Sequence, residues 1–412
     1  MKLSEHLTQR GFIHQVSSET ISEILDGPKR TIYHGIDPSA DSAHAGNFVV
    51  WILLRHLVDA GHKVIFLVGG GTGMIGDPKP DVERTLSTQE EVAGRVAKLK
   101  TQAQRLLGGS EILFVNNYDW LSKIDLITFL RDIGKHFTVN ELIKKDAIAT
   151  RLRSEIGLSY TEFAYPLLQA FDYLTLNREH GCDVQVGGSD QWGNIIAGVD
   201  LVRRLEQKTV YALTVPLIVD KATGKKFGKS EGNAVWIDGE KTSPYAFYQF
   251  WLNVSDESVI DYLKLFTFLS FERIAEIETE FGVNLGSRGA QKILAYEVTT
   301  FVHGKETANA VARVSSMLFG GSEVALLSVE EKQILKENAP LFEMSSNMNI
   351  LDVLVEGKLA TSKREARTFI ESGAIIFGSE KVLSDEYEVS LQSGDFMPLR
   401  RGKKNFVILY RA

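Results

Sequence analysis

Hydrophobic and polar positions along residues 1–238 follow two periods, which predict an alternating series of strands and helices. Short runs of β-branched, aromatic and aliphatic residues have the length of strands and lie at 31–33, 63–68, 111–117, 182–188 and 213–219. Runs with the helical period lie at 5–26, 48–58, 88–107, 125–133, 137–145, 162–176 and 195–205. Residues 63–68 are apolar almost throughout, as in a strand covered on both faces. This order of elements predicts an α/β fold with a parallel sheet.

The pattern changes after residue 238 and again near residue 320, which predicts further domains. Helical runs alone occupy 258–268, 271–281, 290–303 and 305–318. Beyond a segment rich in glycine and serine that holds one short helix, the patterns predict helices at 350–357 and 362–372, a hairpin of 374–377 with 380–383, and a strand at 405–410. We therefore predict a parallel-sheet domain at 1–238 with an insertion at about 118–160, an all-helical domain at 239–320, a linker at 321–347 and a small α/β domain at 348–412.

The length and composition are those of an ordinary globular protein with more than one core. The chain has 412 residues, 44% hydrophobic and 24% charged, and its net charge of −7 argues against a protein that coats nucleic acid along its whole surface. The single cysteine, Cys182, excludes an internal disulfide framework and a multi-thiolate metal site. Since the N-terminus lacks an apolar leader and no run reaches the length of a membrane span, we expect a cytoplasmic protein without a membrane partner.

The turn after the first predicted strand of the sheet has the features of an anion site. Tyr33 ends the strand pattern, Pro38 interrupts the chain, and His44 and Asn47 stand at the start of the helical run at 48–58. Unpaired backbone N–H groups and the helix dipole favour an anion such as phosphate at that point. A solvated histidine and a helix cap would explain the same two residues, so a second feature must decide between the interpretations.

The second feature is the segment Lys226-Phe227-Gly228-Lys229-Ser230, which follows the strand pattern at 213–219 and a turn at 220–224. Two lysines around a glycine in a loop can meet the negative charge of phosphates. Together with His44 and Asn47, this segment predicts that the ligand is phosphorylated.

The helical run at 162–176 is apolar on most sides and should be buried. Tyr165, Gln169 and Asp172 are nevertheless polar, and their spacing of four and three residues places them on one face of the helix. An unpaired buried carboxylate is costly. We therefore expect this face to meet a polar ligand, although contact with water or another helix would also explain it.

Two glycine segments follow predicted strands. Residues 69–76 contain a formal G-x-G-x-x-G, which favours a dinucleotide-binding dehydrogenase. That fingerprint needs its last glycine in an opening helix, whereas Asp77-Pro78-Lys79-Pro80 breaks any helix there. Gly188 and Asp190 follow the strand at 182–188 and precede another helix, which places them at the ligand-binding edge of a parallel sheet.

The two segments around His44 and Lys226 resemble the signature motifs of class I aminoacyl-tRNA synthetases, and the whole chain is most similar to bacterial-type tyrosyl-tRNA synthetases. The resemblance implies a Rossmann-like parallel-sheet catalytic domain, an all-helical domain facing the anticodon side of tRNA, and a small α/β RNA-binding module. It also implies tyrosine–tRNA ligase activity with ATP and Mg²⁺ as MgATP, no tightly bound cofactor, no protein metal site, and a homodimer formed through the insertion. Asn47 stands where the family has a second histidine, and it can donate a hydrogen bond but carry no charge.

The resemblance also assigns roles to individual residues. Tyrosine would be bound by Tyr33 and Asp172 at its phenol, by Asp77, Tyr165 and Gln169 at its ammonium group, and by Gln191 at its carboxylate. ATP would be bound by Gly35, Asp37, His44, Asn47, Gly188, Asp190, Lys226 and Lys229. Charge on the reacting phosphates would be stabilised by His44, Asn47, Ser39, Lys226, Lys229 and Ser230, and a loop after Asp77 with Lys79 and Arg84 would close over ATP.

Basic residues near the C-terminus indicate where tRNA(Tyr) would bind. They are Lys363, Arg364, Arg367, Arg400, Arg401, Lys403 and Lys404. Three functions stay open at this stage: a synthetase for tyrosine or, less in keeping with Tyr33 and Asp172, for tryptophan; a nicotinamide-dependent dehydrogenase; and a catalytically silent RNA-binding paralogue of a synthetase.

Overall fold

The computed structural model describes residues 1–79, 82–83, 85–108, 112–155, 157–219, 221, 224, 227, 229–230, 233–320, 327–402 and 405–411. At residues 146, 229–230, 233 and 319–320 it describes the backbone alone. The helices are α1 (Leu3–Arg10), α2 (Ile21–Leu25), α3 (Ala45–Asp59), α4 (Gln89–Leu107), α5 (Tyr118–Leu121), α6 (Leu126–Thr128), α7 (Val139–Leu142), α8 (Asp146–Arg153), α9 (Tyr160–His180), α10 (Trp192–Glu206), α11 (Pro244–Leu252), α12 (Val259–Phe266), α13 (Phe271–Val283), α14 (Gly289–His303), α15 (Lys305–Gly320), α16 (Val329–Asn338), α17 (Ile350–Glu356) and α18 (Lys363–Glu371). The strands are β1 (Gln15–Val16), β2 (Thr31–Ile36), β3 (Lys63–Val68), β4 (Ile112–Asn116), β5 (Val184–Gly188), β6 (Tyr211–Val215), β7 (Lys229–Ser230), β8 (Asn233–Ala234), β9 (Leu341–Glu343), β10 (Met348–Asn349), β11 (Ile375–Phe377), β12 (Glu380–Lys381), β13 (Glu388–Val389), β14 (Phe396–Arg401) and β15 (Asn405–Tyr410).

The chain divides into two compact units. One contains Met1–Lys241 and Val254–Ala290, and the other contains Thr242–Asn253 and Gln291–Ala412. Within the described residues, no helix is both long enough and apolar enough to span a bilayer.

The first unit is built on a six-stranded sheet in the order β1-β6-β5-β2-β3-β4, within the ranges given above. The strands β2 to β6 are parallel, and the two-residue strand β1 pairs antiparallel with β6. In β3 every residue after Lys63 is buried, which agrees with a strand covered by helices on both faces. The predicted parallel-sheet fold is therefore confirmed.

The strand order places a ligand crevice between β2 and β5. From β2 the chain continues to β3 and β4 on one side, and later returns to form β5 and β6 on the other. At such a reversal the loops leaving the carboxyl ends of the two strands diverge, and open α/β sheets bind their ligands in the gap.

Helix α9 covers this edge of the sheet and is held at both ends. The Ser159 hydroxyl accepts a hydrogen bond from the Glu162 N–H at its start, and Gly181, with φ of 63°, ends it. Residues from Tyr165 to Asn177 are largely buried, as its apolar sequence predicts. Tyr173 and Leu174 join the hydrophobic core beneath β2 and β3.

The second unit contains α11, α14, α15 and α16 and a small α/β domain. The sheet of this domain has the order β12-β11-β14-β15-β9, and α17 and α18 pack on it around a core that includes Ile350, Leu354, Ile370 and Leu399. The predicted hairpin is present as β11 and β12.

Four parts of the sequence-based description differ from the structure. The predicted lead-in helix at 5–26 is two helices separated by β1, and the predicted helix at 125–133 is one turn of α-helix followed by a π-helical turn at Phe129–Ile133. The predicted all-helical segment at 239–320 is shared between the two units, because α12 and α13 belong to the first. The predicted linker at 321–347 contributes β9, which pairs with β15.

Candidate active site

A cleft of about 450 Å³ lies at the reversal of strand order. Its walls come from the carboxyl ends of β2, β5 and β6, the start of α3 and one face of α9. Predicted site residues that line it are Gly35, Asp37, Ser39, His44, Asn47, Asp77, Tyr165, Gln169, Gly188, Asp190 and Gln191. The structure therefore brings together residues that lie far apart in the sequence.

His44 and Asn47 organise the start of α3. His44 is the N-cap residue, its Nδ1 accepts a hydrogen bond from the Gly46 N–H at 3.0 Å, and its own N–H donates to Asn47 Oδ1 at 3.3 Å. Because Nδ1 is an acceptor, a neutral His44 ring carries its proton on Nε2. This arrangement fixes both side chains at a helix N-terminus that faces the cleft.

Asp172 is buried behind the cleft and is bound by neutral donors. Its exposed fraction is 2%, Trp120 Nε1 donates to Oδ1 at 2.8 Å, and Asn117 Nδ2 donates to Oδ2 at 2.9 Å. Burial raises the pKa of this carboxyl to about 7, although the hydrogen bonds from the two donors lower it. Its described hydrogen bonds come from an amide and an indole, so no lysine or arginine neutralises it among them.

Tyr33 lies close to Asp172. Its side chain is 1% exposed, and burial, followed by the charge of Asp172, raises the pKa of its phenol well above the usual value. The Tyr33 Oη has no hydrogen-bond partner among the described residues. The Tyr33 phenol and the Asp172 carboxylate therefore interact electrostatically without a hydrogen bond from the phenol to the carboxylate.

A chain of hydrogen bonds connects Asp172 to the cleft wall. Asn117 is fully buried, and its Nδ2 also donates to Thr72 Oγ1 at 2.8 Å. The Thr72 hydroxyl donates to Asp37 Oδ1 at 2.7 Å, and Tyr165 Oη donates to Asp37 Oδ2 at 2.8 Å. This network fixes the positions of Asp37 and Tyr165, which both line the cleft.

The glycine segment at 69–76 does not form a phosphate-binding turn. The Gly70 N–H donates to Asn116 Oδ1 at 3.1 Å and the Gly71 N–H to Asn117 Oδ1 at 2.7 Å, so these amides are used inside the protein. A Cβ on Gly69 would lie 2.2 Å from Asp37 Oδ1, and one on Gly70 would lie 2.2 Å from Asn116 Oδ1. These glycines allow close packing of the loop, which removes the feature that favoured a dehydrogenase.

Asp77 is held against the start of α10 at the rim of the cleft. Gln191 Nε2 donates to Asp77 Oδ2 at 2.9 Å, and Asn194 Nδ2 donates to Asp77 Oδ1 at 3.1 Å. A Cβ on Gly188 would lie 2.5 Å from Asp190 Oδ1, so a larger residue there would displace the Asp190 carboxylate. Asp77, Asp190 and Gln191 therefore share one rim of the cleft.

Two further polar atoms at the cleft lack partners among the described residues. They are Gln169 Oε1 on α9 and Gln185 Oε1 on β5, and both side chains line the cleft. A buried polar group without a partner costs free energy that a hydrogen-bonding ligand would recover. His34, which also lines the cleft, is kept neutral because burial lowers its pKa to about 4.

The lysine segment meets the site through Phe227. Its ring is 8% exposed and packs on Tyr262 and Phe266 of α12, with centroids 4.8 and 5.5 Å away. A Cβ on Gly46 would lie 3.2 Å from the Phe227 carbonyl oxygen, so the segment passes directly over the start of α3. Lys226 and the Arg84 position lie outside the described residues, and for Lys229 and Ser230 only the backbone is described, as strand β7.

Sequence reasoning missed Thr72, Asn117, Trp120 and Gln185. Asn117 directly follows β4, and Thr72 follows β3 by a few residues. Both therefore lie at the same carboxyl edge as the predicted site, and their position after these strands could have identified them as site residues. Gln185 was visible as the one amide in the otherwise apolar run of β5.

The predicted RNA-binding residues lie in the small α/β domain. Lys363, Arg364 and Arg367 are exposed on α18. Lys363 Nζ lies 2.5 Å from Asp352 Oδ1, and Arg367 Nε lies 3.0 Å from Asp385 Oδ2. Such exposed pairs are weak, so phosphates can compete for these cations.

The second basic cluster has a partly structural role. Arg400 Nη2 donates to the Met317 carbonyl at 2.6 Å. Arg401 Nη1 donates to the Leu359 carbonyl at 2.7 Å, and its guanidinium lies 4.7 Å from the centre of the Phe369 ring of α18. Arg401 is thus placed beside the basic helix, while Lys403 and Lys404 lie outside the described residues.

Comparison with known proteins assigns both parts of the chain. A family model described as tRNA synthetases class I (W and Y) matches residues 26–320, and one described as tyrosine–tRNA ligase SYY-like C-terminal domain matches residues 330–409. A tyrosine–tRNA ligase of Streptococcus mutans is 46% identical over 99% of this chain and 100% of its own. One of Dechloromonas aromatica is 45% identical over 99% of this chain and 98% of its own.

A solved structure gives the same assignment for the fold. The C-terminally truncated mitochondrial tyrosyl-tRNA synthetase of Aspergillus nidulans superposes with a TM-score of 0.71 at 31% identity, over 77% of this chain and 94% of that one. The match extends over most of the chain, and the cleft is lined by His44 and Asn47 of the first signature segment and by Phe227 of the second. On these grounds the chain belongs to the class I tRNA synthetases of the tryptophan and tyrosine group.

Proposed function

We propose that this protein is a tyrosine–tRNA ligase. In the first step the carboxylate oxygen of L-tyrosine attacks the α-phosphorus of ATP, the bond to the β-phosphate oxygen breaks, and pyrophosphate leaves. In the second step a ribose hydroxyl at the 3′ end of tRNA(Tyr) takes the tyrosyl group from the adenylate, and AMP is released. Full-length similarity to tyrosine–tRNA ligases supports the assignment.

One observation carries the choice of amino acid. Behind the cleft, the Tyr33 phenol has no partner among the described residues and lies within electrostatic reach of the Asp172 carboxylate. A tyrosine phenol placed between them would donate its proton to Asp172 and accept a hydrogen bond from Tyr33. Phenylalanine would leave the Tyr33 hydroxyl unpaired and would offer no donor to Asp172, which would keep only its bonds from Asn117 and Trp120. A hydrogen-bonding site rejects an analogue that lacks the hydroxyl far more strongly than an apolar pocket does.

The remaining polar atoms of the cleft suit the other end of the substrate. Tyr165 and Gln169 lie on the same face of α9, and Asp77 is held opposite by Gln191 and Asn194. The α-ammonium group of tyrosine would bind Asp77, Tyr165 and Gln169. The Gln191 amide would bind the carboxylate and direct it toward ATP.

The chemical step requires no protein nucleophile. ATP, entering with Mg²⁺ on its phosphates, would lie along Gly35, Asp37, Gly188 and Asp190, with its phosphates at the start of α3. His44, Asn47 and Ser39, with Lys226, Lys229 and Ser230 from the lysine segment, would stabilise charge on the departing pyrophosphate. Alignment of the two substrates and electrostatic stabilisation supply the rate enhancement in such a mechanism.

The small α/β domain would bind tRNA(Tyr) through its basic helix. Lys363, Arg364 and Arg367 project from α18, and Arg401 lies beside the same helix. Phosphate contacts of this kind position the nucleic acid without reading bases. The all-helical segment at 239–320 would face the anticodon side, and the ligase would act in the cytoplasm.

The insertion at about 118–160 would form a homodimer. Exposed large hydrophobic side chains are concentrated there, at Leu126, Ile127, Leu130, Val139, Ile143, Leu152 and Tyr160. The concentration of exposed apolar side chains in one segment favours an interaction surface there. Sedimentation equilibrium at micromolar concentration should give twice the mass of the chain, and a monomer would contradict the dimer.

ATP–pyrophosphate exchange with each of the twenty amino acids in turn tests the function directly. We expect exchange with tyrosine and at least several hundredfold less with phenylalanine or tryptophan. Exchange with tryptophan instead would show that the protein is a tryptophan-specific synthetase. Complete absence of exchange, with retained binding of tRNA, would identify a catalytically silent paralogue.

A further inference from the structure

Arg151 is an unusual buried cation. It lies on α8 with an exposed fraction of 0%, and its Nη2 is 3.0 Å from Glu162 Oε2 while its Nη1 is 3.1 Å from Glu162 Oε1. Glu162 is 2% exposed and lies in the first turn of α9. Such a pair is expensive to desolvate and is often no more stabilising than two apolar side chains of similar size. Stability alone therefore explains it poorly.

The same guanidinium also holds the loop that follows Asp77. Arg151 Nη1 donates to the carbonyl of Lys79 at 3.0 Å and to that of Val82 at 2.7 Å. Arg151 Nη2 donates to the carbonyl of Gly157 at 2.7 Å. One planar fork therefore joins the loop, the segment before α9 and α9 itself.

This loop borders the cleft and has no helix or strand of its own in its described part. Lys79 lines the cleft, whereas Val82 is 46% exposed. The loop is held at one end where Gln191 and Asn194 bind Asp77. Between that anchor and α4, Arg151 binds two of its carbonyls, so the path of the backbone at Lys79 depends on Arg151.

We propose that Arg151 is a positioning residue for ATP, an inference that rests on the proposed function. It holds the backbone at the Lys79 and Val82 carbonyls, so that the side chain of Lys79, which lines the cleft, meets the phosphates of ATP. The tyrosine subsite is built from α9, β2 and the network through Asn117, and does not include this loop beyond Asp77. Loss of the contacts to the Lys79 and Val82 carbonyls, with the pair to Glu162 of α9 kept, therefore weakens ATP binding more than tyrosine binding.

Arg151→Lys is the first test, because lysine keeps the charge beside Glu162 but lacks the pair of Nη groups that reach Glu162 and the loop carbonyls together. We expect the KM for ATP in tyrosine-dependent exchange to rise about tenfold, which corresponds to about 1.4 kcal/mol. The Kd for tyrosine, measured by equilibrium dialysis without ATP, should stay within about twofold of the wild-type value. Arg178→Lys is the matched control, since Arg178 forms an exposed pair with Glu206 at 2.8 Å and is far less buried.

The double variant Arg151→Met with Glu162→Leu separates positioning from stability. Apolar side chains can replace a buried ion pair and keep α8 packed on α9, but they cannot bind the loop carbonyls. The proposal expects the double variant to be folded and to show the same raised KM for ATP. A wild-type KM for ATP in this variant, or equal losses for ATP and tyrosine in Arg151→Lys, would overturn the role of Arg151. A wild-type protein without tyrosine-dependent exchange would overturn the proposed function and this role with it.

Discussion

Replacing Tyr33 with phenylalanine should have opposite effects on the empty and the tyrosine-bound protein. The ring of Tyr33 is 1% exposed and packs edge-to-face on Tyr173 with centroids 5.2 Å apart, and phenylalanine keeps that contact. The hydroxyl that is removed has no hydrogen-bond partner among the described residues. The substitution therefore deletes an unpaired polar atom from the empty site and a substrate contact from the occupied one.

The two effects have comparable size. An unsatisfied buried hydroxyl costs about 1–3 kcal/mol, so Tyr33→Phe should raise the free energy of unfolding of the empty protein by about 1 kcal/mol or more. In a domain of this size that is a rise of about 2–4 °C in Tm. With tyrosine bound, the variant also lacks a hydrogen bond with a net value of about 0.5–1.5 kcal/mol. Both effects weaken binding, because one stabilises the empty protein and the other destabilises the complex, so tyrosine should bind at least about tenfold more weakly.

Thermal unfolding with and without saturating tyrosine, together with the KM for tyrosine in pyrophosphate exchange, checks both expectations. Tyr173→Phe is the matched control because the Tyr173 hydroxyl donates to the Tyr211 carbonyl at 2.8 Å. The control should be less stable than the wild type and should bind tyrosine normally. If Tyr33→Phe lowers Tm without ligand as much as the control does, or leaves tyrosine affinity unchanged, the reasoning about the unpaired phenol is wrong.

Three further predictions follow from the same contacts. The Asp172 pKa of about 7 lies above its unfolded value of 3.8, so its contribution to stability is full below pH 3.8 and is lost as pH rises to about 7. The wild type should therefore lose about 2 kcal/mol relative to Asp172→Asn between pH 5 and 7 in denaturant unfolding. Phe227→Ala removes the ring that anchors the lysine segment on α12. It should lower kcat of exchange severalfold and, because the residue is buried, lower the free energy of unfolding by about 3 kcal/mol. Arg364→Ala removes an exposed cation from α18, and should weaken aminoacylation and its salt dependence but leave exchange unchanged.

Each of these predictions has a control and a contrary result. Equal pH dependence of wild type and Asp172→Asn would refute the raised pKa. Phe227→Leu should retain most of the exchange rate, and an equal loss in both variants would show that apolar anchoring is not the cause. Arg273→Ala changes an exposed arginine on α13 and should leave aminoacylation unaffected, so a loss equal to that of Arg364→Ala would point to net charge alone.

Much of the catalytic unit was predictable because its information is local. The strand, turn and helix around His44 and the glycines before Asp190 identify the carboxyl edge of a parallel sheet from sequence order alone. The polar face of α9 follows from helical spacing, and the family expected from the two signature segments is confirmed by the comparisons. The residue roles stay predictions.

What the sequence did not reveal depends on contacts between distant segments. Asn117 and Trp120 bind Asp172 from across the sheet edge. The residues that flank them in the sequence do not indicate that Asp172 is their partner. Strand β1 has two residues and β9 has three, which is too short for a periodic pattern. Both owe their conformation to pairing with β6 and β15.

The contact between Gly46 and the Phe227 carbonyl ties together the two most recognisable segments of the chain. A Cβ at position 46 would lie 2.9 Å from the His44 ring and 3.2 Å from that carbonyl, so a larger residue there would disturb both segments. Grafting one signature from a distant relative should consequently fail unless its counterpart is transferred as well.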